Sequence, residues 1–465
     1  MNPVRIQQTL LLGLVFLLIF EGIFRKLAPG PISTLLLFAK DGICIVLVLT
    51  LATSPPRGQG RKLFGYWFAF MAVFSIPFMK TLFISPPLAI FGAKQYILFP
   101  VVAIAMTAAF PPSQIEALKR HFAWFAYSVI ITFAVSMLQL ALPDSHWLNR
   151  GIGGMDLRAF AAGGVLRVSS TFPFVAQYSM YLNALIFGIG LMLAIGLPKR
   201  FPKLLKKIPI WAVLLCYGIS LFATGSRQSV IGTAIMFSIS LFVLLLGNRT
   251  KVFTLAIRLL VVMAVVIGAA QFILPKAFVV YELRSEYSDN QSELASRLSY
   301  SLFGWVDGLP GAPPNFLGYG IGVMSNGSEK ISGYAAEWRD RIWGETESSN
   351  VMFEGGWWLM ATFFGFRLAV TIWVVSLALK IRSSPYFLGA ASITGFVIFV
   401  ALFGQLSIQP PLSCWFWMAV GTAAVLANLH RADLIAANVE KDTESPSKRS
   451  RRRRGRPINQ PEQST

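Results

Sequence analysis

IPIWAVLLCYGISLFATGSRQSVIGTAIMFSISLFVLLLG, residues 208–247, holds two apolar runs, 208–223 and 228–246, joined by a tight turn that carries one cation, Arg227. An α-helix needs about 17 to 25 such residues to cross roughly 30 Å of hydrocarbon. The stretch therefore reads as two membrane-spanning helices back to back, with Arg227 at the turn. The whole chain has the same character. Of its 465 residues, 55% are hydrophobic and 13% charged, and mean hydropathy is +0.61, far from an ordinary soluble domain.

Further apolar windows lie near 8–25, 31–52, 63–79, 88–110, 122–142, 174–197, 252–274, 352–379, 386–405 and 411–429. The expected fold is all-α and polytopic, with about twelve transmembrane helices. Pro77, Pro86, Pro87, Lys94 and Pro100 interrupt the third and fourth windows, the mark of a re-entrant or broken helix. An even count puts both termini on one side. With the N-terminus inside, inner segments hold 25 of the 41 Lys and Arg residues, as retention of positive charge in the cytoplasm requires. The formal charge of +20 is then a matter of topology, and nucleic-acid binding is not expected from it. The first window has only Arg5 before it and no small-residue cleavage site, so it reads as a retained signal anchor.

This topology divides the chain into helices over 1–274, a large outer loop over 275–351, helices over 352–429 and a basic, disordered inner tail over 430–465, whose SKRSRRRRGRP run faces anionic headgroups. The outer loop carries ten acids against six bases. Leu294, Leu298, Leu302 and Trp305 recur at helical spacing and predict an amphipathic helix near 291–306. The run GYGIGVMSNG (318–327) lacks the strand and helix of a dinucleotide fold. Its Gly318, Gly320 and Gly322 instead suit a tight turn whose backbone passes close to a partner or substrate. Cys44, Cys216 and Cys414 all fall in apolar windows, which leaves no cysteine metal site or disulfide framework. No metal and no cofactor is expected.

Five stretches in order, VSMLQLALPDSHW (135–147), RVSSTFPFVAQYSMYL (167–182), TGSRQSVIG (224–232), SRLSYSLFGWVDGLPGAPPNFLGYGIG (296–322) and ETESSNVMFEGGWW (345–358), resemble the O-antigen ligase and O-antigen polymerase superfamily of bacterial membrane glycosyltransferases. The resemblance covers about residues 130–370. It implies an inner-membrane enzyme, facing the periplasm, that moves a glycan from an undecaprenyl-diphosphate carrier to a glycan or lipid acceptor with inversion at the anomeric carbon. It also implies that Arg227 and Arg297 are needed for activity. Where the family has a histidine before its Glu-x-Gly, this chain has Glu347, or Glu345 by a strict count back from Gly356; of the two, Glu347 is the slightly favoured base. His121, His146 and His430 all lie elsewhere.

The chemistry suits arginine. Cleaving a sugar–phosphate bond throws charge onto the diphosphate, and a guanidinium fork holds phosphate oxygens more strongly as that charge develops. A carboxylate on the opposite face would deprotonate the acceptor hydroxyl. Arg167, before SerSerThrPhe, is a candidate phosphate contact or an orientation anchor. Lys40, Asp41, Glu21, Lys94 and Arg367 fall inside apolar windows, where charge is expensive. Lys40 either lines an outer cavity as a substrate contact or pairs with Glu21. Polymerase and ligase stay open, and a transporter or flippase of lipid-linked glycan is the reading from another class. Against it stand the lack of paired halves and the concentration of special residues in one outer loop.

Overall fold

The computed structural model describes residues 2–157, 167–247, 315–339 and 346–453, with isolated positions elsewhere between 265 and 341. They form an all-α, polytopic membrane protein. Its helices are α1 (Pro3–Leu27), α2 (Gly30–Leu51), α3 (Gln59–Ile84), α4 (Pro86–Ile97), α5 (Pro100–Ala109), α6 (Ile115–Ala141) and α7 (Val175–Ile195). There follow α8 (Lys203–Lys207), α9 (Ile210–Ala223), α10 (Arg227–Leu245), α11 (Gly333–Arg339), α12 (Glu347–Lys380), α13 (Phe387–Phe403) and α14 (Pro410–Arg453). Among the described residues, seven helices are long and apolar enough to cross a bilayer, eight if the bent pair α4 and α5 counts as one span. The apolar helices α9 and α13 are shorter. The window at 252–274 lies mostly outside the described residues, as does the amphipathic helix expected at 291–306.

Proline decides where the fourth window breaks. Pro100 opens α5 without a backbone N–H to continue the ladder of α4, and the two helices meet at a bend of 49°. The third window does not break: α3 runs unbroken through Pro77. The larger break is in α12. Gly356 there has φ +62° and ψ −157°, and a Cβ on it would lie 2.1 Å from the Asn315 carbonyl oxygen. Glu347 and Arg367 would stand ~30 Å apart on a straight helix, yet their side chains meet at 3.3 Å. The arm 346–355 is therefore folded back beside the rest of α12, and residues 346–356 are all buried.

The centre of the bundle is α5, α7, α13 and α14. Every residue of α5 is buried, and small residues let its backbone touch α14: a Cβ on Gly421 would come within 2.5 Å of the Ala103 carbonyl oxygen. Phe125 of α6 stacks on Trp415 of α14 at 4.7 Å. Helices α2 and α3 lie outside this centre and turn Leu35, Leu49, Phe68 and Phe83 outward, as lipid-facing surfaces do. The last helix continues to Arg453, through the first part of the segment read as a disordered tail. Its stretch RADLIAANVEK is rich in good helix formers, so the helix propagates beyond the apolar span.

Candidate functional site

One end of the bundle gathers the features singled out in the sequence. There the segment 167–174 leaves the surface and runs in among α1, α6 and α9. Val168 to Phe172 are buried, and Thr171 accepts the Ile23 N–H at 2.9 Å. Ser170 adopts φ +52°, which a non-glycine residue avoids. It is held there because its N–H donates to Gln139 at 2.6 Å and its hydroxyl to the Thr132 carbonyl at 2.6 Å. This pinning delivers Arg167 to the α9–α10 turn. Arg167 Nε donates to the Thr224 carbonyl at 3.5 Å, and its Cγ lies 3.5 Å from where a Cβ on Gly225 would be. Gly225 has φ +58°, and Arg227 is the first residue of α10. Two arginines sixty positions apart in sequence thus converge on one turn.

Across α13 stands the folded arm of α12. Thr346 caps it, accepting the Ser349 N–H at 3.1 Å. Glu347 accepts hydrogen bonds from the Ser407 N–H at 2.9 Å and the Ser407 hydroxyl at 2.9 Å. Arg367, 1% exposed, reaches it from behind while donating to the carbonyls of Val400, Ala401 and Gly404 at 2.8, 2.7 and 3.1 Å. Glu347, the slightly favoured base, is 5% exposed, because the break at Gly356 turns it inward. The intramembrane charge of Arg367 is spent on Glu347. Gly232 of α10 packs against Phe399 of α13. Arg227 lies five residues from Gly232 toward this end and Gly404 five residues beyond Phe399, so the arginine turn and the Glu347 cluster stand at about the same level.

The second acid of the arm, Glu354, accepts from the Tyr96 hydroxyl at 2.7 Å and the Met324 N–H at 3.0 Å. These bonds tie the glycine run to α4 and α12. Tyr319 N–H and Gly320 N–H donate to the carbonyls of Phe353 and Glu354 at 2.7 and 3.0 Å. Ile321 N–H donates to the Thr81 hydroxyl at 2.8 Å, and Lys80 donates to the Gly318 carbonyl. Gly318, Gly320 and Gly322 all have positive φ and are buried. A Cβ on Gly318 would meet Gly356 N at 2.5 Å, and one on Gly322 would meet the Leu88 carbonyl oxygen at 2.7 Å. Here the partner that the backbone of these three glycines approaches is the chain itself.

Nearby, Glu21 takes Arg25 at 2.9 Å and Lys40 at 2.9 Å, and Asp41 takes Lys94 at 2.7 Å. Lys40 is 3% exposed, so of its two readings the pairing with Glu21 is the one seen. Arg297 and Glu345 lie outside the described residues. Ser407, Tyr96 and Lys26 carry no motif that marks them in the sequence. The sole signal for Ser407 was a short polar stretch, GQLSIQ (404–409), between two apolar windows. Among the described residues no group of three or more His, Cys, Asp or Glu side chains could hold a metal ion. No protein-family model matches the chain, and no curated protein is similar to it at a significant level.

Proposed function

We propose that this chain is an inverting membrane glycosyltransferase that takes a glycan from an undecaprenyl-diphosphate carrier at the outer face of the bacterial inner membrane and adds it to a growing polysaccharide. Ligation to a lipid or other acceptor is the close variant. The observation that carries the proposal is the convergence of Arg167 and Arg227 on the Thr224–Gly225 turn, level with the Glu347 cluster. Two guanidiniums at the edge of the apolar slab suit a diphosphate whose lipid tail lies in the bilayer and whose sugar lies in water. They bind the leaving group more tightly as the sugar–phosphate bond breaks. Arg297 is proposed as a third cation for the same group. In this reading the bundle has twelve spans with both termini inside, and the segments after α6 and before α12 face the periplasm.

The base is proposed to be one of two acids. Glu347 would have to release Ser407 and Arg367 to accept a proton from the acceptor hydroxyl, so Glu345, two residues earlier, is the better candidate. Membrane lipids are the remaining partners; no cofactor and no nucleic acid enters. A flippase or transporter is favoured by one specific observation, the two broken elements α4–α5 and α12, since discontinuous helices with buried charge commonly form transport sites. Reconstitution in liposomes with undecaprenyl-diphosphate-linked oligosaccharide separates these outcomes. A ladder of products supports a polymerase, and a single product that needs an added acceptor supports a ligase. Donor that crosses the bilayer unchanged would sink the enzyme reading.

A further inference from the structure

We infer that Lys26, at the C-terminal end of α1, is a phosphate-binding cation of the same site, one that contacts the lipid-linked diphosphate beside Arg167. The inference rests on the proposed glycosyltransferase reading for the identity of the ligand. It rests on geometry for the choice of residue. The end of α1 and the helices α2 and α4 carry four cations, Arg25, Lys26, Lys40 and Lys94. Glu21 neutralises Arg25 and Lys40, and Asp41 neutralises Lys94. Lys26 alone of the four has no carboxylate within ion-pair distance among the described residues.

Its ammonium group donates instead to two neutral acceptors, the Leu148 carbonyl at 3.0 Å and the Ser169 hydroxyl at 3.2 Å. An ammonium has three N–H donors, so one is left for a ligand. Ser169 stands two residues after Arg167 in the inserted segment, and this places Lys26 on the wall that carries Arg167 to the Arg227 turn. A partly buried cation with neutral partners is costly unless an anion completes it. Burial pushes the Lys26 ammonium down to about 8 from its ordinary value, as expected of a cation without its counter-ion. The charged and titratable groups on the elements around it are Glu21 and Arg25 on α1, Lys40 and Asp41 on α2, Lys94 on α4, Asp144, His146, Arg150 and Asp156 after α6, and Arg167.

The test is binding of undecaprenyl diphosphate and undecaprenyl phosphate to the full chain in nanodiscs, at pH 7 and pH 9, with thermal unfolding as the folding check. Lys26→Gln retains hydrogen-bond donors for Leu148 and Ser169 but no charge, so a residue that merely tethers the two segments would tolerate it. The expected result is about tenfold weaker diphosphate binding in Lys26→Gln, with Lys26→Arg close to wild type. Wild-type binding should weaken as pH rises through about 8, where the ammonium loses its proton, and Lys26→Arg should not show that loss. Wild-type affinity in Lys26→Gln, with weakened binding in Arg227→Ala, would overturn the lysine assignment alone. Unchanged binding in both variants would overturn the diphosphate reading as well. Should Lys26→Gln fail to fold, wild-type protein whose Lys26 reacts with an amine-selective reagent equally fast with and without bound undecaprenyl diphosphate overturns the assignment. So does an effect that vanishes when phosphatidylglycerol in the disc is replaced by phosphatidylcholine, since the ligand would then be a phospholipid headgroup.

Discussion

Arg367 and Glu347 show how one buried charge fixes another. Both are almost fully buried, and the guanidinium also ties down the last turn of α13 through three carbonyls. Removing one partner strands the other in a medium that cannot solvate it. Arg367→Met should therefore cost about 3 to 5 kcal/mol of stability, and the double variant Arg367→Met/Glu347→Gln should recover a good part of that loss, because no bare carboxylate is left. Thermal unfolding in detergent measures both. A double variant no more stable than Arg367→Met would show that the pair is not the source of the effect. In the sequence, Arg367 was legible as an intramembrane charge and Glu347 as an acid before the Glu-x-Gly. That they belong to each other was not legible, since twenty residues of helix would hold them apart and hydropathy carries no sign of a fold-back.

At the scale of elements, glycine positions the site. Apolar periodicity located most of the helices, and prolines marked the α4–α5 break, because both signals are local. The break in α12 is not local. It depends on Gly356 meeting the loop at Asn315, forty-one positions earlier, and the window starting at 352 ran straight across it. The glycine run was legible as a turn with close backbone contact, whereas the identity of the surface it contacts, α4 at Gly92 and the arm of α12, is tertiary. Gly356→Ala should unfold the arm. A Cβ there meets backbone rather than a movable side chain and also faces a positive φ, so a loss of about 3 kcal/mol or more is expected, together with activity. Gly333→Ala, with nothing within 4 Å of the added carbon, is the control and should be neutral. Equal behaviour of the two variants would contradict the assigned geometry of the arm.

For the whole molecule, the decisive property is sidedness. Arg167, Arg227, Glu347 and the glycine run share one end of the bundle, while α8 with Lys203, Lys206 and Lys207 belongs to the other, since α9 leads from it to the Arg227 turn. The proposed topology, drawn from charge bias, puts the first end outside. Asn326 is exposed at that end and Lys203 at the other. Asn326→Cys should react with a membrane-impermeant maleimide in intact cells, and Lys203→Cys should react only after permeabilisation. The reverse pattern would put the arginine turn in the cytoplasm, where a periplasmic transfer reaction has no place.

The most direct measurement is glycan transfer by wild type and Arg227→Ala, reconstituted side by side with undecaprenyl-diphosphate-linked oligosaccharide and compared at equal amounts of folded protein. Arg227 opens α10 at its surface end, so truncating it removes a charge without emptying the core, and the two proteins should unfold at similar temperatures. If the arginine holds the departing diphosphate, wild type forms products and Arg227→Ala loses at least about a hundredfold in rate, the loss of a donor aimed at developing charge. A folded Arg227→Ala protein that transfers glycan at the wild-type rate would contradict the role assigned to the turn.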